Sequence, residues 1–256
     1  FKKETRDINF ISRLNNAKKA KKNGVKKYIL PSSCSNYGKI PNSDVADEGY
    51  KLNPLTNYSK ANANAEKEIL KLANDNFCVT ILRQGTVYGY SPRMRFDLVI
   101  NRMTHDAWKN NLVNLLRDGT QRRPTLHIKD AIRAMHFMLK KDKKFINKEI
   151  FNVGGDNNNI VIKDIVTKIK KIFKRKIRVK FYGSKDHRSY FVSFKKINSI
   201  GFKTKYNPDD GIKEILKNLK RRKIKLDPNT ITLDWYQKLE YWNKIIKNTS
   251  LDGKIF

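Results

Sequence analysis

Residues 28 to 38 read Tyr28-Ile29-Leu30-Pro31-Ser32-Ser33-Cys34-Ser35-Asn36-Tyr37-Gly38, an apolar run that passes directly into hydroxyl-bearing side chains. A buried parallel strand that opens into a ligand site at its carboxyl end has this pattern. Tyr58 follows at what reads as the start of a helix. Hydroxyls at a strand end with a phenol nearby can share a proton chain, so the chemistry to expect is proton transfer to or from a substrate alcohol. The same residues could equally form an ordinary polar loop.

The elements that must position these groups follow from periodicity. Ala61, Ala65, Ile69 and Leu72 recur at spacings of four, four and three and predict a helix from Leu55 to about Asn74. A helix rich in alanine and lysine starts after Asp7-Ile8-Asn9-Phe10 and ends at Asn23-Gly24, where glycine suits a helix stop. Phe77 to Arg83 reads as a second buried strand. Later come a helix with Asn101, strands at 112–116 and from Arg122, a helix from Ala131 to Leu139, a strand at 149–153, an amphipathic helix over 160–173 and a strand from Ile177 to Tyr182. Trp235, Leu239, Trp242 and Ile246 stand at helical spacing and read as packing rather than as a cofactor box.

Composition bounds the class. With 256 residues, 39% of them hydrophobic, the chain can bury a full core. No window offers the ~18 consecutive apolar residues of a membrane span, and no charged-then-apolar leader is present, so a cytoplasmic protein is expected. The net charge is +32 and the pI about 10.1. Basicity of this size accompanies nucleic-acid binding, but the lysines are scattered and no nucleic-acid motif joins them, which makes that the lesser reading. A positive field also attracts anionic substrates such as nucleotide diphosphates. Cys34 and Cys78 match no metal spacing and read as reduced core thiols.

Several ordered motifs carry a resemblance. They are Pro31-Ser32-Ser33-Cys34-Ser35-Asn36-Tyr37-Gly38, Asp47-Glu48, Asn53-Pro54-Leu55-Thr56-Asn57-Tyr58, Leu82-Arg83-Gln84-Gly85-Thr86-Val87-Tyr88-Gly89, Arg123 to Asp130, Asn152-Val153-Gly154-Gly155, and Asp186-His187-Arg188-Ser189-Tyr190. Together, from about Asn9 to Gly211, they resemble the extended short-chain dehydrogenase/reductases, in particular the NAD-dependent nucleotide-sugar epimerases and dehydratases.

The resemblance implies an α/β fold, a Rossmann-like doubly wound parallel sheet with a smaller α/β substrate domain. It further implies that residues 1–92 form the carboxyl-terminal part of the dinucleotide domain. Residues 93–215 would form mainly the substrate domain, with interleaved Rossmann segments, and residues 216–256 a helical extension. The chain contains no G-x-x-G-x-x-G or G-x-G-x-x-G, so the family's glycine-rich turn and first strands are expected to be missing from it. NAD is the implied cofactor, with NADP left open, and a nucleotide sugar the implied substrate; no metal, no membrane and a possible homodimer complete the expectation.

The implied site is specific. Tyr58 is the acid/base and a cofactor contact, and Ser33 assists it. The family's Y-x-x-x-K lysine, which binds the nicotinamide ribose, falls on Asn62. Lys60 cannot stand in, because residues two apart on a helix face different sides. Asn62 can hydrogen-bond a ribose hydroxyl but carries no charge, so either Tyr58 is a weaker acid/base or a two-residue gap shifts the register. Thr86, Arg95, Arg123 and Arg188 are the implied substrate ligands, the last two for the diphosphate. Asn9 is either a residue close to the site or a helix-start polar group, and His127 reads as structural. Cys34 and Ser35 stand where dehydratases carry an Asp-Glu pair, which favours epimerisation over dehydration.

Overall fold

A computed structural model describes residues 1–183, 188–251 and 254–255. Helix α1 (Lys2–Arg6) continues through one wider π turn (Asp7–Ile11) into α2 (Ser12–Lys22). The helix therefore starts earlier than the alanine and lysine pattern predicted. The π turn holds Asn9, whose Nδ2 donates to the Thr5 carbonyl at 3.0 Å. Asn9 is thus no helix-start residue: it sits mid-helix and bonds back along its own backbone.

Strand β1 (Lys27–Ser33), helix α3 (Asn57–Leu70), strand β2 (Cys78–Gln84) and a short β3 (Thr86–Tyr88) follow. Helix α4 (Val99–Asn110) leads to β4 (Leu112–Leu116) and β5 (Arg122–His127). Then come α5 (Ile128–Lys140), β6 (Glu149–Val153), β7 (Asn159–Val161), α6 (Ile162–Phe173) and β8 (Arg178–Tyr182). The described chain closes with α7 (Lys195–Ser199), α8 (Pro208–Lys220), α9 (Thr232–Thr249), β9 (Ser250–Leu251) and β10 (Lys254–Ile255).

The main sheet runs β1-β2-β6, with both neighbouring pairs parallel. Seven consecutive pairs, Lys27 with Cys78 through Ser33 with Gln84, set the β1–β2 register. This brings the carboxyl ends of both strands to one edge. Apolar side chains pack on both faces, as a covered parallel sheet requires. Ala17, Leu30, Ala65, Ile69, Val79 and Ile81 join α2 and α3 to one face. Cys34, Leu82, Ala134, Met138, Phe151 and Phe194 form the cluster on the other.

A separate apolar cluster gathers α4, α6 and α8 around Phe96, Ile100, Ile165, Ile169 and Ile212. Beside it, β4 pairs in parallel with β8, while β5 lies parallel to β3 and antiparallel to β7. One expectation is corrected. The apolar stripe of α9 is not packed: Leu239, Trp242 and Ile246 are exposed, because none of the described elements lies over that face. Helical periodicity identifies a face, not what covers it.

Candidate active site

The site begins with a helix start. Thr56 caps α3: its Oγ1 accepts from the Ser59 N–H at 3.1 Å, and Ser59 Oγ accepts from the Thr56 N–H at 3.0 Å. Reciprocal capping fixes the first turn, which carries Tyr58. Tyr58 keeps 43% of its surface exposed, enough for its phenol to meet a ligand. One turn on, Asn62 is wholly buried. Its Nδ2 donates to the Tyr58 carbonyl at 2.8 Å, and its Oδ1 accepts from Arg13 Nη1 of α2 at 2.6 Å. Lys60 points to solvent. Asn62 thus lies on the inner side of α3 below Tyr58, and Lys60 does not.

Ser33 closes β1 and accepts from the Ser35 N–H at 3.2 Å, starting the 3-10 turn Cys34–Tyr37. Gly38 ends that turn at φ +71°, where a side chain would strike the Asn53 carbonyl oxygen. Three buried atoms here, Ser35 Oγ, Asn36 Oδ1 and Gln84 Nε2, have no partner among the described residues. They belong to the loop after β1 and to the end of β2, at one edge of the sheet. Buried polar atoms are seldom left unpaired, and at a strand edge they suit a bound ligand.

Beneath the loop lies a charged network. Arg83 of β2, 3% exposed, forks onto Glu66 of α3, 2% exposed, with Nη2 to Oε2 at 2.7 Å and Nε within 3.2 Å of both oxygens. Ser32 Oγ and Asn36 Nδ2 also donate to Glu66 Oε1, at 2.5 and 2.8 Å. Arg83 Nη1 donates to Tyr37 Oη at 2.9 Å; that phenol lies 2.8 Å from Asn152 Oδ1 and 2.9 Å from the Asp47 carbonyl, and has one proton to give. Glu48 Oε1 takes the Asn152 N–H at 2.7 Å, and burial raises its carboxyl above the usual range. Burial likewise raises the Cys34 thiol, whose Sγ donates to the Arg83 carbonyl. The loop of Ser33 is thus tied to α3, β2 and β6 at once.

The implied substrate ligands fall into two groups. Thr86 is partly exposed at the start of β3, opposite Thr125. Arg95 is exposed and forked onto Asp97, with Nη2 to Oδ2 at 2.6 Å and Nε to Oδ1 at 3.1 Å, so its charge is already matched. Arg123 is nearly buried over the Tyr190 ring and donates to the Arg188 carbonyl, which brings the two expected diphosphate arginines side by side; Arg188 itself is exposed. Asp186 and His187 of the same motif lie outside the described residues. His127 is structural, as expected: it is 1% exposed and stacks on Tyr206, with Nε2 3.0 Å from Glu214 Oε2. Its Nδ1 accepts from the Lys129 N–H, which leaves the proton on Nε2. Among the described residues no His, Cys, Asp or Glu cluster could hold a metal, and no helix is long and apolar enough to cross a membrane.

Sequence reasoning assigned no role to Arg13 or Glu66. An arginine closing the apolar run Phe77–Leu82 was a signal that a buried acid should answer it. Arg13 carried no such signal, being one of many cations in its helix.

A parallel α/β sheet with helices on both faces, a hydroxyl-rich loop at the strand ends and a tyrosine at the head of the neighbouring helix define a Rossmann-type short-chain dehydrogenase/reductase architecture. The sequence pattern of the NAD dependent epimerase/dehydratase family matches residues 2–154, and the chain belongs to that family. It is 27% identical over 217 residues to a UDP-glucuronate 4-epimerase of Thermodesulfobacterium geofontis, a match covering 82% of this chain and 63% of that protein. It is 25% identical to a putative UDP-glucose 4-epimerase of Methanocaldococcus jannaschii, covering 84% and 70%. The chain thus spans less than two thirds of the length of the first of these relatives. In fold it is similar to the UDP-glucuronic acid 4-epimerase of Bacillus cereus in complex with UDP-glucuronic acid and NAD, with TM-score 0.73, 24% identity, and 84% and 68% of the two chains covered.

Proposed function

We propose that the protein is an NAD-dependent epimerase of a nucleotide-diphosphate sugar, with Tyr58 as the acid/base. The observation that carries this is the exposed Tyr58 phenol on a capped helix, beside a strand edge that presents Ser33 and the unpartnered Ser35 Oγ and Gln84 Nε2. Those orphaned polar atoms fit a bound dinucleotide. When bound, NAD supplies a hydride acceptor that becomes the donor on return.

The chain's own residues do the rest. Tyr58 takes the proton of the substrate hydroxyl and later gives it back, while Ser33 Oγ shares the hydrogen bond to that oxygen. Return of the hydrogen to the opposite face inverts the carbon. Arg123 and Arg188, adjacent in the fold, hold the diphosphate by charge-assisted hydrogen bonds. Thr86 offers a hydroxyl to the sugar, and Arg95 reaches substrate only by leaving Asp97. The relatives named for UDP-glucuronate and UDP-glucose make a UDP-sugar the first substrate to try.

A one-way NAD(P)H-dependent reductase, or a catalytically weakened sugar-nucleotide binder, is the second reading, and Asn62 in the lysine position is what favours it. Dehydration is disfavoured because Cys34 is buried and Ser35 carries no carboxylate. The division at residues 92 and 215 is part of the proposal, supported by the separate apolar cluster of α4, α6 and α8. So are a homodimer, checked by light scattering, and a cytoplasmic location, in keeping with two buried free thiols.

The test is incubation with NAD and UDP-glucose or UDP-glucuronic acid, with the sugars separated by chromatography. An equilibrium mixture with the 4-epimer is expected. Net formation of NADH with an oxidised sugar, the reductase run in reverse, would establish the reductase instead, and binding without turnover the weakened homologue.

A further inference from the structure

The tyrosine helix lacks its lysine, yet it does not lack a cation. Arg13, half-buried on α2, reaches across to α3 and donates through Nη1 to Asn62 Oδ1 at 2.6 Å and to the Pro31 carbonyl of β1 at 3.2 Å. Asn62 is wholly buried, with both ends of its amide engaged, so it presents nothing to a ligand. The guanidinium has five donors, and its Nη2 and Nε make no hydrogen bond among the described residues. Two neutral oxygens hold it in place and no carboxylate is bonded to it, so its charge is unmatched locally. A guanidinium can do from a neighbouring helix what an ammonium would do from α3.

We propose that Arg13 supplies the positive charge of this site, with Asn62 as the residue that positions it, so that cation and tyrosine come from two helices instead of one. Arg13 then contributes to holding the hydroxyl-bearing ribose of a nicotinamide dinucleotide beside Tyr58. This rests on the NAD-dependent reading above. It also changes what Asn62→Lys should do. A lysine there sets a second cation against Arg13 in a buried place, where like charges disfavour each other. The single substitution should weaken the site, although it restores the family's pattern.

The experiment is a charge relocation, read by titration with NADH followed through nicotinamide fluorescence, together with the thermal midpoint of each chain without cofactor. Arg13→Met should weaken NADH binding about tenfold or more, as loss of a charged hydrogen-bond donor does. Asn62→Lys should also bind more weakly and melt lower. The double variant Arg13→Met with Asn62→Lys should regain most of the affinity, a rescue that a purely structural arginine would not give. Should Arg13→Met fail to fold, Arg13→Lys takes its place and should retain most of the binding. Equal affinity of wild type and Arg13→Met, or a double variant no better than Arg13→Met, overturns the inference while leaving the NAD-dependent function standing. Absence of NADH binding by the wild-type chain overturns both together.

Discussion

Arg83 and Glu66 form a forked ion pair, each at most 3% exposed, that joins β2 to α3 directly beneath the loop of Ser33. Ser32, Asn36 and Tyr37 all bond to this pair, so the geometry of the reactive edge depends on it.

Breaking it from one side should be costly. Arg83→Met leaves the Glu66 carboxylate buried without its partner, and about 3–5 kcal/mol of folding stability should be lost. Urea denaturation followed by circular dichroism measures this. A loss under about 1 kcal/mol would show that water or rearrangement satisfies Glu66, contrary to the network described.

Gly38 should tolerate no side chain. Its φ is +71°, and an added Cβ would lie 1.8 Å from the Asn53 carbonyl oxygen. Since the obstacle is backbone, Gly38→Ala must move the loop. We expect a lower thermal midpoint together with loss of NADH binding; an unchanged midpoint would contradict the close approach of the two loops.

Stability should fall in mild acid through His127. Burial, outweighing the attraction of Glu214, holds this imidazole below its ordinary value. A histidine with a lowered folded-state value binds fewer protons folded than unfolded, so its contribution is complete above about pH 6.5 and declines as pH drops toward the folded value. Lys129 faces the same carboxylate; although burial opposes the charge, bonds from Lys129 and from the Tyr90 N–H keep Glu214 below the usual range. Melting curves between pH 7.5 and 5.5 should show the decline, and His127→Gln, which can still donate to Glu214, should flatten it. An equally steep decline in that variant would place the effect elsewhere.

Both thiols should be silent in the native state. Cys34 and Cys78 are buried, and burial raises both. Ellman's reagent should therefore find no fast-reacting thiol until denaturant is added. Rapid labelling of either cysteine in the native chain would contradict the closed cluster around Leu82 and Phe151.

Much of this was readable in the sequence because it is local. The apolar runs of β1 and β2 and the four-residue spacing of α3 announce themselves, but the expected bounds, Leu55 to about Asn74, overran the observed Asn57–Leu70, because the cap that Thr56 and Ser59 form is not part of the apolar period. The family resemblance implied a shared diphosphate role for Arg123 and Arg188, and the contact of Arg123 with the Arg188 carbonyl keeps that reading open. What stayed hidden depends on partners far apart in the chain. Arg13 lies 49 residues from Asn62, among lysines of the same helix, and nothing nearby sets it apart. The π turn at Asp7–Ile11 is a slip in hydrogen bonding that apolar periodicity does not encode. The stripe of α9 repeats at helical spacing whether or not anything covers it.

The central claim is that the Tyr58 phenol moves the proton, and Tyr58→Phe tests it most directly because it removes one oxygen from an exposed ring that packs little of the core. Measured as conversion of the UDP-sugar with NAD present, the variant should lose roughly 10²–10⁴-fold in turnover, while its thermal midpoint and NADH affinity stay close to wild type. Turnover equal to that of the wild type would contradict the account, and the acid/base would have to be sought among the other groups of the strand edge.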